Sequence, residues 1–577
     1  MRNWRINPPK FYFIKFWRVN LILVFFFLLG MIILGRLFFI QIIQHEYWKA
    51  LAQGQQKFFS QIEGERGKIF LEDSGSENNL IPLAINKEWE FIYISPQETS
   101  GDSENISEIT KNLSQILGID EKLILAKSQK SDSLFEMIKN KLSQEEVDLL
   151  KKTNLPGVYL GTENIRYYPR EEFASQVIGF FGGEKTGQYG IEGYYNEILR
   201  GTEGFQVGEK SARGYLIKMI HKTVKKGADV ILTLDYNIQF MAEKLLREAK
   251  ENLDFEKGQI IVGDPSTGKI IAMAEFPNFN PNQYAKETDI EIFQNSTIQK
   301  IFEPGSVFKP ITMAAGLDTQ KITPQTKYYD EGAVKIGGYT IRNFAQKAWG
   351  EKTMTEVLER SINTGAVFVE KQTGHQTFLK YVEKFGFFEP TEIDLQGEIF
   401  SINSNLKKGY EVNFATASFG QGIEMTPIQL FRAFSVIANG GKIIKPYIVE
   451  KIIKDEKEIE TLPEASNELV ISPQTANQLT AMMVNVVEHG YGKEAKIPGY
   501  YIAGKTGTAQ IPEAGVYSLE KTIQTFVGFA PAFNPRFLIL IKLDNPKTKT
   551  AEYSAAPVFR ELAKYIIDLW QIPPDYE

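Results

Sequence analysis

Three short patterns could together carry acyl transfer without histidine: S-x-x-K, S-x-N and K-T-G. A serine hydroxyl attacks a carbonyl only when a neighbouring base takes its proton, and on a helix a lysine three residues later shares the serine's face. Each pattern alone is weak. S-x-x-K begins at Ser266, Ser306, Ser404 and Ser518, S-I-N at Ser361 and Ser401, and K-T-G at Lys185 and Lys505. The elements that position them must choose.

Ser306 lies in FEPGSVFKPITMAAGL, where Pro304 and Gly305 provide a turn and the apolar run after them predicts a buried helix. At a helix N-terminus the serine meets free backbone N–H groups and the positive end of the dipole, with Lys309 beside it and Pro310 tolerated in the first turn. Ser266 sits in a turn, Ser404 in polar SINSNLKKG and Ser518 in an expected loop, so none opens a comparable helix. Lys505 closes strand-like YYIAGKTGTAQ, where Gly507 allows close backbone approach, whereas Lys185 is flanked by glycines in a loop ahead of every serine candidate. Ser361 and Asn363 lead into Thr364, Gly365 and apolar AVFV, which predicts a helix–helix junction; Ser401 is followed only by polar loop.

Composition removes the competing chemistries. The 577 residues include no Cys, which excludes disulfides, thiolate metal sites and cysteine nucleophiles, and only 4 His, none in an H-E-x-x-H pattern. A net charge of −6 gives no basic field for nucleic acid. Gly263 to Lys269 (GDPSTGK) matches a phosphate-loop pattern, but Ile270 stands where a magnesium-binding hydroxyl is required, Pro265 removes a cradle N–H, and a strand follows; a hairpin turn is the better reading.

Val19 to Ile43 is apolar apart from a few polar positions such as Arg36, long enough to cross a hydrocarbon core of roughly 30 Å. Arg2, Arg5, Lys10, Lys15 and Arg18 precede it and Glu46 is the first acid, so the positive-inside bias keeps residues 1–18 cytoplasmic. A cleaved signal is disfavoured by the length of the apolar region and by the charged and aromatic residues before Ala50-Leu51-Ala52.

Beyond the anchor, 44–225 reads as a membrane-proximal region. It contains strand-like WEFIYISP, a polar break, Ile106, Ile109, Leu113, Ile116 and Leu117 at helical spacing, and a capping box at Ser143 and Glu146. KTVKKGAD marks a boundary near 225/226. Strands QIIVGDP and IIAMAEF, a helix-rich middle, then YYIAGKTG, TFVGFAPA, RFLILIKLD and a last amphipathic helix predict an α/β (α+β) domain. Its mainly antiparallel sheet joins the two sequence ends of the domain.

At these residues the sequence resembles the penicillin-binding protein transpeptidases, whose S-x-x-K and K-T-G motifs it carries in order. GERGKIF (Arg66, Gly67), RYYPRE, the stretch around Glu192, and LTLDYNIQ are similar to class B pedestal and linker signatures. FGQGIEMTPIQL and TFVGFAPAFNP are similar to the sequence around the family's second and third motifs. One departure is Ile362, where class A β-lactamases have Asp. No glycosyltransferase-like segment follows the anchor, and no accessory repeats are expected after the last helix.

The resemblance implies a penicillin-binding transpeptidase fold with helices on both faces of the sheet, divided into a 1–18 tail, a 19–43 transmembrane helix, a 44–225 dimerisation-type pedestal and a 226–577 catalytic domain. It implies that Ser306 attacks the D-Ala-D-Ala amide of a stem peptide and an amine from another stem takes the acyl group. Lys309 would be the base and Lys505 a second positive charge. Ser361 would relay the proton, and Asn363 would bind the peptide amide. Thr506, Gly507 and Thr508 would serve the substrate carboxylate and oxyanion. No metal or cofactor is expected. β-Lactams would acylate Ser306. Expected partners are the plasma membrane, a multi-span glycan-strand polymerase and division or elongation proteins, with septal division favoured by the compact loop after Lys505 and by TFVGFAPAFNP. Hydrolysis by the same serine, as in a carboxypeptidase or β-lactamase, is the alternative; a β-lactam sensor is disfavoured by the short tail.

Overall fold

The structure is a computed structural model describing residues 17–45, 57–62, 64–72, 80–99, 103–130, 133, 135–153, 155–202, 204–210, 216–221, 225–513 and 516–577. The small-residue triplet at 50–52 and most of the expected cytoplasmic tail lie outside them. Contacts divide the chain into two units, Met1–Gly64 with Gly201–Lys226, and Glu65–Arg200 with Gly227–Glu577.

In the first unit, Trp17–Phe38 is an α-helix that buries none of its side chains and continues as one π-turn, Phe39–Ile43. The 27 residues Trp17–Ile43 are long and apolar enough to cross a membrane. Strands Lys57–Ile62, Gly204–Lys210 and Leu216–His221 form an antiparallel sheet.

The second unit runs across the 225/226 position. Strand Ile69–Glu72 pairs antiparallel with Leu80–Ile94 and parallel with Asp229–Leu232, which itself pairs with Val449–Lys454. One sheet therefore takes strands from both sides of the basic, polar segment, an arrangement that local composition cannot signal. WEFIYI is strand, Ser103–Leu117 is helix with Ile109, Leu113 and Leu117 buried, and the Ser143–Glu146 capping box is present in both directions. Glu192, with 0% exposure, receives hydrogen bonds from Arg66 Nε (2.8 Å), Arg166 Nε (2.7 Å) and Tyr168 OH (3.1 Å). Burial alone would raise its pKa, but the Arg166 and Arg66 guanidinium groups outweigh it and hold the carboxyl below its ordinary value.

The part of this unit that positions the candidate site is, in chain order, helix α1 (Tyr236–Leu253), strands β1 (Lys257–Gly263) and β2 (Ile270–Phe276), and helices α2 (Lys309–Asp318), α3 (Asn363–Thr373) and α4 (Pro427–Ala438). Strands β3 (Ala503–Glu513), β4 (Val516–Ala530) and β5 (Phe537–Asp544) follow, then helix α5 (Ala555–Leu569). The five strands lie in the order β2-β1-β5-β4-β3, antiparallel throughout, so the two sequence ends of the domain meet in one sheet with β3 at its edge. In β5, Phe537, Ile539, Ile541 and Leu543 join the core of α1 and α5, while Leu538 and Leu540 face the core of α2 and α4. This two-residue alternation buries both faces, and each large side chain contributes roughly 1.5–3 kcal/mol. The phosphate-loop lookalike is the β1–β2 hairpin turn, closed by Gly268 N–H donating to Asp264 O at 3.0 Å.

Candidate active site

Ser306 sits in a 3-10 turn, Gly305–Phe308, that runs into α2 at Lys309, with Pro310 in the first turn. Sharp entry requires glycine. Gly305 has φ +59° and its N–H donates to Gly420 O at 2.9 Å; Gly420 has φ +83°, and a Cβ there would meet Gly305 O at 2.0 Å. On the other side the turn rests on β3, where a Cβ at Gly507 would meet Pro304 O at 2.9 Å and Val307 N at 3.1 Å.

The short turn delivers Lys309 Nζ to within 3.0 Å of Ser306 Oγ. The amine is fully buried and also lies 2.6 Å from Ser361 O, 3.1 Å from Ser361 Oγ and 2.8 Å from Asn363 Oδ1. Ser361 occupies the junction between the helix Met354–Glu359 and α3 with φ +51°, a left-handed conformation costing on the order of 1 kcal/mol or more in a non-glycine residue. Asn363 Nδ2 donates to Arg342 O at 3.1 Å.

Lys505 is also fully buried, and its Nζ donates to Ser361 Oγ at 3.1 Å and Thr506 O at 2.9 Å. Ser361 Oγ thus stands between two amines. Burial pushes Lys505 down to about 7; burial, and then the Lys505 charge, push Lys309 well below the usual lysine range. A neutral Lys309 has two N–H donors for Ser361 O and Asn363 Oδ1 and a lone pair left for a hydroxyl proton. Such a cluster can deprotonate a serine and pass the proton on.

The structure therefore brings Ser306, Lys309, Ser361, Asn363 and Lys505 together, with Gly507 against the Ser306 turn. Strand alternation separates Lys505 and Gly507 from Thr506 and Thr508, and Thr508 Oγ1 accepts from Ala551 N–H at 3.2 Å. The rejected copies lie elsewhere in the fold: Ser266 in the β1–β2 turn, Ser404 opening the four-residue helix Ser404–Lys407, and Lys185 between two short strands. Ser518 is in strand β4, not in a loop, because the hairpin after Lys505 extends to Glu513 and returns from Val516. Gly420 and the Arg342 carbonyl also support the site; Gly420 lies in FGQGIEMTPIQL, but no local pattern marks Arg342.

Residues 258–564 match the penicillin binding protein transpeptidase domain, and residues 61–232 match the penicillin-binding protein dimerisation domain. The chain belongs to the class B penicillin-binding proteins. This class B penicillin-binding protein is 33% identical to stage V sporulation protein D of Bacillus subtilis over 92% of its own length and 82% of the relative's. It is 28% identical to the peptidoglycan D,D-transpeptidase FtsI of Escherichia coli over 97% and 93%. Penicillin binding protein 3 of Mycobacterium tuberculosis, solved in complex with aztreonam, superposes with a TM-score of 0.67 at 25% identity, covering 89% of this chain and 98% of that one. The class B penicillin-binding protein is accordingly an enzyme of the serine transpeptidase family, with peptidoglycan D,D-transpeptidase function.

Proposed function

We propose that Ser306 is the acyl-enzyme nucleophile of a peptidoglycan stem-peptide cross-linking reaction. The reading rests on one observation: a fully buried Lys309 amine 3.0 Å from Ser306 Oγ, with Ser361 Oγ bridging it to the buried Lys505. Lys309 takes the Ser306 proton as Oγ attacks the D-Ala-D-Ala carbonyl, and Ser361 passes a proton to the leaving D-Ala nitrogen. Backbone N–H groups of Ser306 and Thr508 stabilise the oxyanion, with Gly507 allowing the close approach. The Lys505 charge attracts the terminal carboxylate through the strand while the Thr506 or Thr508 hydroxyl, on its other face, helps bind it, and Asn363 binds the peptide amide. An amine of a second stem then releases the acyl group.

β-Lactams mimic the first step and acylate the same oxygen. Labelling of the full chain in detergent with a fluorescent penicillin is expected to vanish in Ser306→Ala and persist in Ser404→Ala. Label surviving Ser306→Ala refutes the assignment. Cross-linked dimer from a natural disaccharide-peptide substrate supports transfer; free D-Ala without dimer establishes the carboxypeptidase reading instead.

The apolar segment 19–43 holds the protein in the plasma membrane with 1–18 cytoplasmic, 44–225 as pedestal and 226–577 as catalytic domain outside. A multi-span glycan-strand polymerase is the proposed neighbour. We favour a septal role, supported by the resemblance of TFVGFAPAFNP to the division branch. Filamentation on depletion supports it, and rounding of cells indicates side-wall elongation.

A further inference from the structure

Helix α3 begins at Asn363 without a side-chain cap of its own, since its N-cap residue is Ile362. The cap comes from elsewhere: Thr364 N–H donates to Asn343 Oδ1 at 3.1 Å, across 21 residues. Asn343 is held in turn by Asp330, whose Oδ2 accepts from Asn343 Nδ2 at 2.8 Å and from Trp349 N–H at 2.9 Å. The other carboxylate oxygen accepts from Gly332 N–H at 2.9 Å and Thr364 Oγ1 at 2.6 Å. Asp330, Asn343 and Thr364 are 1%, 5% and 7% exposed, so water cannot replace these partners.

An ionised carboxylate only accepts, and that constraint propagates. With the Lys347 carbonyl, which accepts from the same Nδ2 at 3.1 Å, it anchors the Asn343 Nδ2 and turns the Oδ1 toward α3. The backbone so fixed places the carbonyl of the preceding residue, Arg342, against Asn363 Nδ2 at 3.1 Å. A carbonyl also only accepts, so Asn363 must turn Nδ2 to Arg342 and Oδ1 to Lys309 Nζ, 2.8 Å away. The second Nδ2 hydrogen is left for a ligand amide carbonyl.

We propose that Asp330 is a positioning residue that, through Asn343 and the Arg342 carbonyl, sets the orientation of the Asn363 amide toward the acyl donor. The proposal rests on the reading of Asn363 as the group that binds the donor's amide. Asp330→Asn is isosteric, but whichever way its amide turns, an N–H faces the N–H of Gly332 or of Trp349. Strands Lys327–Asp330 and Gly350–Thr353 would still pair, and Asn343 would keep Lys347 O and Thr364 N–H as partners, but without the carboxylate that anchors it Asn343 would shift and carry the Arg342 carbonyl away from Asn363.

The test compares second-order acylation of the full chain in detergent by benzylpenicillin, which carries a side-chain amide, and by 6-aminopenicillanic acid, which does not. In Asp330→Asn the ratio of the two rate constants is expected to fall about tenfold, the loss of one oriented hydrogen bond. A merely structural role lowers both rates together and keeps the ratio, which overturns the proposal, as does an unchanged ratio with unchanged rates. If Asp330→Asn accepts neither lactam, Asn343→Ala serves the same comparison with the same two outcomes. Absence of Ser306 labelling in the wild-type protein would instead refute the underlying assignment, so the two failures are distinguishable.

Discussion

Lys309 Nζ lies 3.0 Å from Ser306 Oγ while Lys309 is fully buried. A lysine in that setting gives up its proton far more readily than an ordinary lysine, because burial and a second cation disfavour its charged form.

The rate constant for acylation by benzylpenicillin should therefore be bell-shaped in pH. Its rising limb lies well below the usual lysine pKa of about 10.4 and reports the loss of a proton from the Lys309–Lys505 pair. The falling limb lies near 7, where Lys505 gives up its charge. Both values belong to the pair. Lys505→Arg should remove the falling limb, since arginine stays charged. A single rising limb near the ordinary lysine pKa would contradict the scheme.

Lys309→Met should make the protein inactive and more stable. Acylation should drop by about 10²–10⁴-fold, the usual contribution of a positioned base. The unfolding midpoint should rise by roughly 2–4 °C, because an apolar chain of similar length replaces a buried amine. The sign of the pH dependence follows from the depressed folded pKa of Lys309: the unfolded chain binds the extra proton, so wild-type stability rises with pH until the unfolded lysine also loses its charge. The stability advantage of the variant should accordingly shrink between pH 7 and 10 in thermal melts.

Gly507→Ala places a methyl group 2.9 Å from Pro304 O and 3.1 Å from Val307 N. Overpacking of this kind costs about 1–3 kcal/mol, and here it displaces the turn that carries Ser306. Penicillin acylation should slow by at least about tenfold, with far-ultraviolet dichroism unchanged. Wild-type acylation kinetics in the variant would show that β3 does not seat the turn.

Glu192→Gln leaves two guanidinium groups, Arg66 and Arg166, facing a neutral amide in a buried site. Loss of about 3–5 kcal/mol is expected in denaturant melts. In the wild type this contribution is present above the ordinary carboxylate pKa and is lost as pH falls through the lowered folded value of Glu192. Because Glu192 touches none of the reacting groups, folded variant should still accept penicillin at low temperature.

The grouping of the candidate site was legible from residue types and order. The absence of Cys and the scarcity of His turned attention away from thiol and imidazole chemistry, and among four S-x-x-K copies only Ser306 opened an apolar helix after a Pro-Gly turn. The apolar run FLILIKLD and the apolar stripe of the last helix likewise marked a strand and an amphipathic helix, because side-chain period is a local property, while helices on both faces of the sheet followed only from the family resemblance. Less legible was where a domain ends: strand Asp229–Leu232 pairs with Ile69–Glu72 from the far side of the expected boundary, and pairing partners are not written in local composition.

What the sequence by itself determined is thus which residues to bring together: a serine, two lysines, a second serine and an asparagine, each on an element whose type its neighbours dictate. The tertiary structure alone decided their state. Ser361 reaches both amines from a left-handed backbone conformation, and Asn363 is oriented by a carbonyl 21 residues away in sequence. Lys309 and Lys505 lose their ordinary basicity only because folding removes water from both and sets them on either side of one hydroxyl. Burial and through-space charge depend on what surrounds a group, and that environment exists only once distant segments have packed.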